Sequence, residues 1–203
     1  LQELSDLLER YATGSASAQR IFLLLDTQPE ILDSDTPVPL EKARGAVNFE
    51  HVTFAYQPGA KAVIEDFVLR IPAGEVLALV GPSGHGKSTL VQLLTRFYEV
   101  QHGAVTLDGI DIRQLTQKQL RRNVGVVLQD NVLFSGTILD NLRLVRPDAS
   151  DEQLIAAAQA LGADEVLERL PLAWPTEVGA LGAHLSHGQR QLVCLTRAFL
   201  ANP

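Results

Sequence analysis

A chain of 203 residues can bury one good core and a second small lobe. With 46% apolar and 20% charged residues it has an ordinary globular composition, and its net charge of −7 gives no general attraction for nucleic acid or anionic lipid. An anion bound here must be held by a local arrangement against the global field. The single cysteine, Cys194, excludes an intrachain disulfide and fits a reducing compartment, where it reads as a small buried hydrophobe. No apolar run approaches the ~18–20 residues that span a bilayer, and the amphipathic start does not have the pattern of a signal peptide. The chain opens on Leu1, holds no methionine and stops at Asn202-Pro203, so the expectation is a piece of a longer protein.

Residues 1–25 carry Leu1, Leu4, Leu7, Leu8, Tyr11, Ala18, Ile21, Phe22 and Leu25 at mostly helical spacing. The proline-containing stretch 26–44 lacks periodicity and predicts a linker, with the domain proper from 45 to 203. Val47, Phe49, Val52, Phe54 and Tyr56 predict a strand whose alternation slips once, as a bulge makes it. A second strand is expected near Val63–Ile71. Val76–Val80 and Val124–Leu128 are unbroken apolar runs, which predict strands buried on both faces of a sheet. Helices are predicted over Lys87–Tyr98, over Ser150–Leu161 with Ser150 and Gln153 at capping-box spacing, and from Ser186 to Leu200; a short strand is predicted at Ala104–Leu107. Strands first, then alternating strands and helices, indicate an α/β domain with a β-rich edge.

Gly81-Pro82-Ser83-Gly84-His85-Gly86-Lys87-Ser88-Thr89 meets every fixed position of G-x-x-x-x-G-K-[ST]. The glycines let the backbone curl so that successive N–H groups aim at phosphate oxygens, and the helix that follows presents its positive end to the same anion. Lys87 is positioned to reach the outer phosphates and the Ser88 hydroxyl to help hold Mg²⁺. Mg-ATP is the expected ligand. His85 sits at a free position of the pattern and reads as a solvent-facing loop residue.

Leu185-Ser186-His187-Gly188-Gln189 stands where the last helix begins, with Ser186 a natural N-cap and Gly188 leaving the backbone open to close approach. Together with the phosphate loop upstream and Gln129 directly after an apolar run, it resembles the signature of ATP-binding cassette (ABC) transporter nucleotide-binding domains, with His187 where glycine is usual. Val127-Leu-Gln129-Asp resembles the family's Q-loop, and Tyr56 is similar to the aromatic that stacks on adenine. Asn131–Asn141 resembles the exporter segment that meets the coupling helices of the membrane domain. Residues 1–25 resemble the cytoplasmic end of an exporter's last transmembrane helix. Arg190–Ala198 is similar to multidrug-resistance-associated and certain bacterial exporters. Thr176–Gly182 resembles the exporter X-loop, with Ala180 where an acidic residue is usual.

The resemblance implies an α/β P-loop ATPase core with an antiparallel β edge and an α-helical subdomain, truncated at its C-terminus. The resemblance further implies that it belongs to an exporter-type protein in which membrane and ATPase parts are fused, at the cytoplasmic face of a membrane. The family's Walker B aspartate, catalytic glutamate and switch histidine are expected beyond Pro203, so the chain alone is expected to bind ATP without hydrolysing it. Gln129 is implied as a Mg²⁺ ligand and positioner of the attacking water. Leu185, Ser186, His187, Gly188 and Gln189 are implied to complete the site of a second nucleotide-binding domain, in a homo- or heterodimer, with no nucleic-acid partner. The rival readings are a soluble non-transport ABC ATPase, a non-catalytic nucleotide-binding module and an importer subunit. The amphipathic start and the exporter-type segment after Gln129 argue against the first and third. A stop codon directly after Pro203 would favour the second.

Overall fold

A computed structural model describes residues 2–82 and 84–203, with the backbone alone for residues 3–10; Ser83 and the side chains of Leu1, Leu4, Leu7 and Leu8 therefore lie outside the described residues. The chain divides into two compact units, Leu1–Leu32 and Asp33–Pro203. The first unit is one helix, α1 (Gln2–Leu25, 24 residues), on which Tyr11, Ile21, Phe22 and Leu24 are exposed. Among the described residues, no helix is long and apolar enough to cross a membrane.

The second unit holds two apolar cores. The first lies under an antiparallel sheet of order β2-β1-β3-β4, made by β1 (Val47–Phe54), β2 (Ile64–Ile71), β3 (His102–Leu107) and β4 (Ile110–Asp111). The expected bulge is present: the β1–β2 register shifts between Phe49 and Val52, with His51 at φ 48°. Val47, Phe49, Val52 and Phe54 turn inward onto Leu90 and Leu93 of α2 (Lys87–Leu94) and onto Leu115 and Leu120. The helix α3 (Gln117–Asn123), capped by Thr116, carries Leu120 into this core. Residues 33–44 are irregular and attach to this body, where Val38 N donates to Gln114 O and Ala43 N to Asn123 Oδ1.

The second core is helical. It gathers α4 (Ile138–Arg143), α5 (Asp151–Ala160), α6 (Asp164–Leu167) and α7 (His187–Ala201) around Ile138, Leu142, Leu154, Leu167, Trp174 and Val193. The capping box read from Ser150 and Gln153 is formed in full. A second one, Thr137 with Asp140, starts α4.

Three expectations differ from the structure. Val76–Val80 and Val124–Leu128 belong to no strand, and Val76 and Val80 are 100% and 92% exposed. A buried parallel strand exists only through hydrogen-bonded neighbours on its edges, and neither segment is paired among the described residues. The apolar runs mark what these segments are built to bury, but a ladder is a property of two segments and not of one. The helix expected over Lys87–Tyr98 stops at Leu94, where the Thr95 hydroxyl bonds back to Val91 O and Arg96 turns left-handed at φ 53°. That turn carries the Arg96 guanidinium inward to Leu115 O and Glu99.

Candidate functional site

The phosphate-loop sequence folds as a curl leading directly into α2. Gly84 and Gly86 have φ of 82° and 80°, left-handed values that a side chain would resist, and Gly86 is the N-cap residue. An added Cβ at Gly86 would also sit 3.2 Å from Ile64 Cγ1. Lys87 folds back along the loop, its ammonium donating at 2.7 Å to both Gly81 O and Pro82 O. The curl is thus closed by the same cation that the sequence assigns to the outer phosphates. At the start of α2 the first N–H groups lack intrahelical acceptors, and they share the loop with that charge, which is the equipment for holding a polyphosphate. Ser88 is exposed and Thr89 is buried.

Tyr56 follows β1 and meets α2. Its hydroxyl lies 2.8 Å from Thr89 Oγ1 and donates to Gln92 Oε1 at 2.9 Å. Edge contacts to Phe54 and Tyr98 hold the ring, with centroids 5.0 and 5.1 Å away, and 46% of the residue stays exposed. Gln92 was not among the sequence candidates. Its one signal was its place three residues after Thr89, on the same face of α2.

The Leu185–Gln189 run is built on the other core. Leu185 is 3% exposed and anchors it. Ser186 caps α7 in a capping box: its Oγ accepts from Gln189 N at 3.3 Å while Gln189 Oε1 accepts from Ser186 N at 2.8 Å. Accepting that bond uses an oxygen lone pair and leaves the hydroxyl proton to give. His187 and Gly188 are exposed. Arg190 Nη1 donates to Leu185 O at 2.6 Å and to Gly182 O at 3.3 Å, tying the helix start to the loop before it.

The exposed Gln129 shares a shallow pocket of about 220 Å³ with Asn131, Leu181, His187 and Arg190. Asn131 is buried, and its Oδ1 has no hydrogen-bond partner among the described residues. The segment that follows is pinned from both sides. Asn141 accepts from Phe134 N and donates to Phe134 O, and Ile138 N and Val178 N bond across to Thr176 O and Gly136 O. Phe134 and Leu181 remain exposed on the resulting surface, with Arg197 over the Phe134 ring at 6.0 Å. The half-buried Cys194 packs against the helical core, and burial raises the pKa of its thiol.

Residues 64–203 match the family model described as ABC transporter. The chain belongs to the ABC transporter family. This ABC domain is 43% identical over 204 residues to a fatty acid ABC transporter ATP-binding/permease protein of Mycobacterium bovis, covering 100% of this chain and 32% of that protein. It is 39% identical over 202 residues to an ATP-dependent lipid A-core flippase of Desulfotalea psychrophila, covering 100% of this chain and 35% of the relative. Among solved structures it resembles a bacterial Atm1-family ABC exporter with ATP bound, with a TM-score of 0.86 and 37% identity over 95% of this chain and 34% of that one. The domain spans about a third of the length of these relatives. The α/β P-loop ATPase core with an antiparallel edge and a helical subdomain is therefore the fold of this ABC domain.

Proposed function

We propose that this ABC domain is the ATP-binding motor of an exporter, working as a pair of such domains on the cytoplasmic face of a membrane. The Lys87 ammonium, bonded to Gly81 O and Pro82 O at the start of α2, is the observation that carries the reading. Mg-ATP supplies a phosphoanhydride bond. Lys87 and the loop N–H groups would orient the phosphates and Tyr56 would stack on adenine; Ser88 and Gln129 would hold Mg²⁺, which would neutralise phosphate charge, and Gln129 would also orient the attacking water. No acidic residue of the sequence motifs serves as general base, so the chain by itself binds ATP without turning it over.

Pairing is supported by where the motifs stand. The phosphate loop belongs to the sheet core, whereas Ser186, Gly188 and Gln189 belong to the helical core. The start of α7 offers a helix N-terminus, the Ser186 proton and the uncovered backbone at Gly188 to the outer phosphate in the partner domain. Closure of the pair is passed to the membrane domain's coupling helices through Asn131–Asn141, where Phe134 is exposed.

Sedimentation of the chain with and without Mg-ATP, combined with equilibrium binding, tests this. Saturable binding with ATP-dependent pairing supports it. Binding without pairing reduces the domain to a nucleotide-binding module, and no binding removes the reading altogether.

A further inference from the structure

Tyr56 carries a feature that stacking on a base does not require. A phenol has one proton to give. Here it goes to Gln92 Oε1 at 2.9 Å, so the phenol oxygen accepts from the Thr89 hydroxyl at 2.8 Å. Thr89 is 4% exposed and Gln92 half-buried, both on α2. The ring packs against Phe54 and Tyr98 at interplanar angles of 80° and 86°. It is thus held by two aromatics and, at its tip, by two side chains of the helix that opens the phosphate loop. Without the tip contacts, the side chain of a residue in an irregular segment keeps rotational freedom, which binding must then remove.

We propose that Gln92 is a positioning residue for the nucleobase. By holding the Tyr56 hydroxyl it presets the ring for stacking, and the base-dependent part of nucleotide affinity passes through it. The phosphate-dependent part does not. This rests on the stacking role given to Tyr56 above. One neutral hydrogen bond contributes on the order of a five-fold change in affinity.

The test compares affinities of the full chain for Mg-ATP and for inorganic tripolyphosphate with Mg²⁺, which has phosphates and no base. Gln92→Leu is expected to weaken ATP about five-fold and leave tripolyphosphate unchanged. Gln92→Glu keeps an acceptor for the phenol, so the ratio of the two affinities is expected to lie closer to the parent value than that of Gln92→Leu. Tyr56→Phe, which removes the hydroxyl without touching α2, is expected to match Gln92→Leu, and the double variant to lose no more than either alone. A Gln92→Leu variant that weakens both ligands equally, or neither, overturns the proposal. Tyr56→Ala separates the two readings. If it lowers the ratio while Gln92→Leu and Tyr56→Phe do not, only the role of Gln92 falls. If it leaves the ratio unchanged, stacking by Tyr56 falls and this inference with it.

Discussion

The ammonium of Lys87 bonds at 2.7 Å to the carbonyl oxygen of Gly81, six residues earlier in the same loop. A cation that closes its own loop through carbonyls organises the curl before any anion arrives and remains available to one. Lys87→Met is expected to keep the fold, because both carbonyls are solvent-accessible and water replaces the ammonium. Affinity for ATP and for tripolyphosphate should fall together, by about 10- to 100-fold, the range of a charge-assisted hydrogen bond. Loss of ATP alone would contradict the placement of Lys87 on phosphates.

Gly188 has no left-handed φ, and an added Cβ would meet nothing within 4 Å among the described residues. The fold therefore has no need of glycine there. Gly188→Ala should leave the melting temperature unchanged or slightly higher, since alanine favours a helix over glycine. ATP-dependent pairing should nevertheless weaken about ten-fold or more, because in the proposed pair the methyl would stand where the partner's phosphate approaches the backbone. Sedimentation with Mg-ATP reads the effect, and unaltered pairing would remove Gly188 from the partner's site.

Gly103 is the opposite case. At φ 79° on β3, an added Cβ would collide with the carbonyl oxygens of Glu50 and His51, at the bulge of β1. Gly103→Ala should destabilise by about 3 kcal/mol or more, from backbone strain plus displacement of a sheet edge. Gly109→Ala is the control. Its φ is 82° but no described residue lies within 4 Å of an added Cβ, so only the left-handed cost of about 1 kcal/mol applies. Equal losses in denaturant melts of the two variants would show that the contact at Gly103 is relieved by backbone shifts.

Asp140 closes the capping box of α4. The backbone N–H of Thr137, then its hydroxyl, hold the Asp140 carboxyl below the usual carboxylate range. A carboxyl whose folded pKa is depressed contributes stability that is complete above its unfolded pKa of about 3.9, and that is lost as pH falls through the folded value. Asp140→Ala should therefore lower the melting temperature at pH 7 and lower it much less near pH 3. A constant difference across that window would mean that the contact acts through shape and not through charge.

The sequence by itself determined what local chemistry dictates. The spacing of Gly81, Gly86 and Lys87 is the phosphate loop, because a curl and a helix start need only neighbouring residues. Ser150 with Gln153 and Ser186 with Gln189 are capping boxes for the same reason. The slip at His51 announced a bulge through the period of the strand itself. Thr137 and Asp140 have the same spacing as those caps and were equally legible, although aspartate replaces the usual Glu or Gln.

Tertiary structure alone decided what depends on distant partners. Val76–Val80 has the composition of a buried strand, yet lies unpaired among the described residues, because a ladder needs a second segment that composition does not name. The approach of Tyr56 to Thr89 and Gln92 joins residues more than 30 positions apart, and only packing of β1 against α2 brings them together. The partition of the phosphate loop and the signature helix between two cores follows likewise from which apolar faces meet, a choice made by the whole chain at once and written in no single stretch of it.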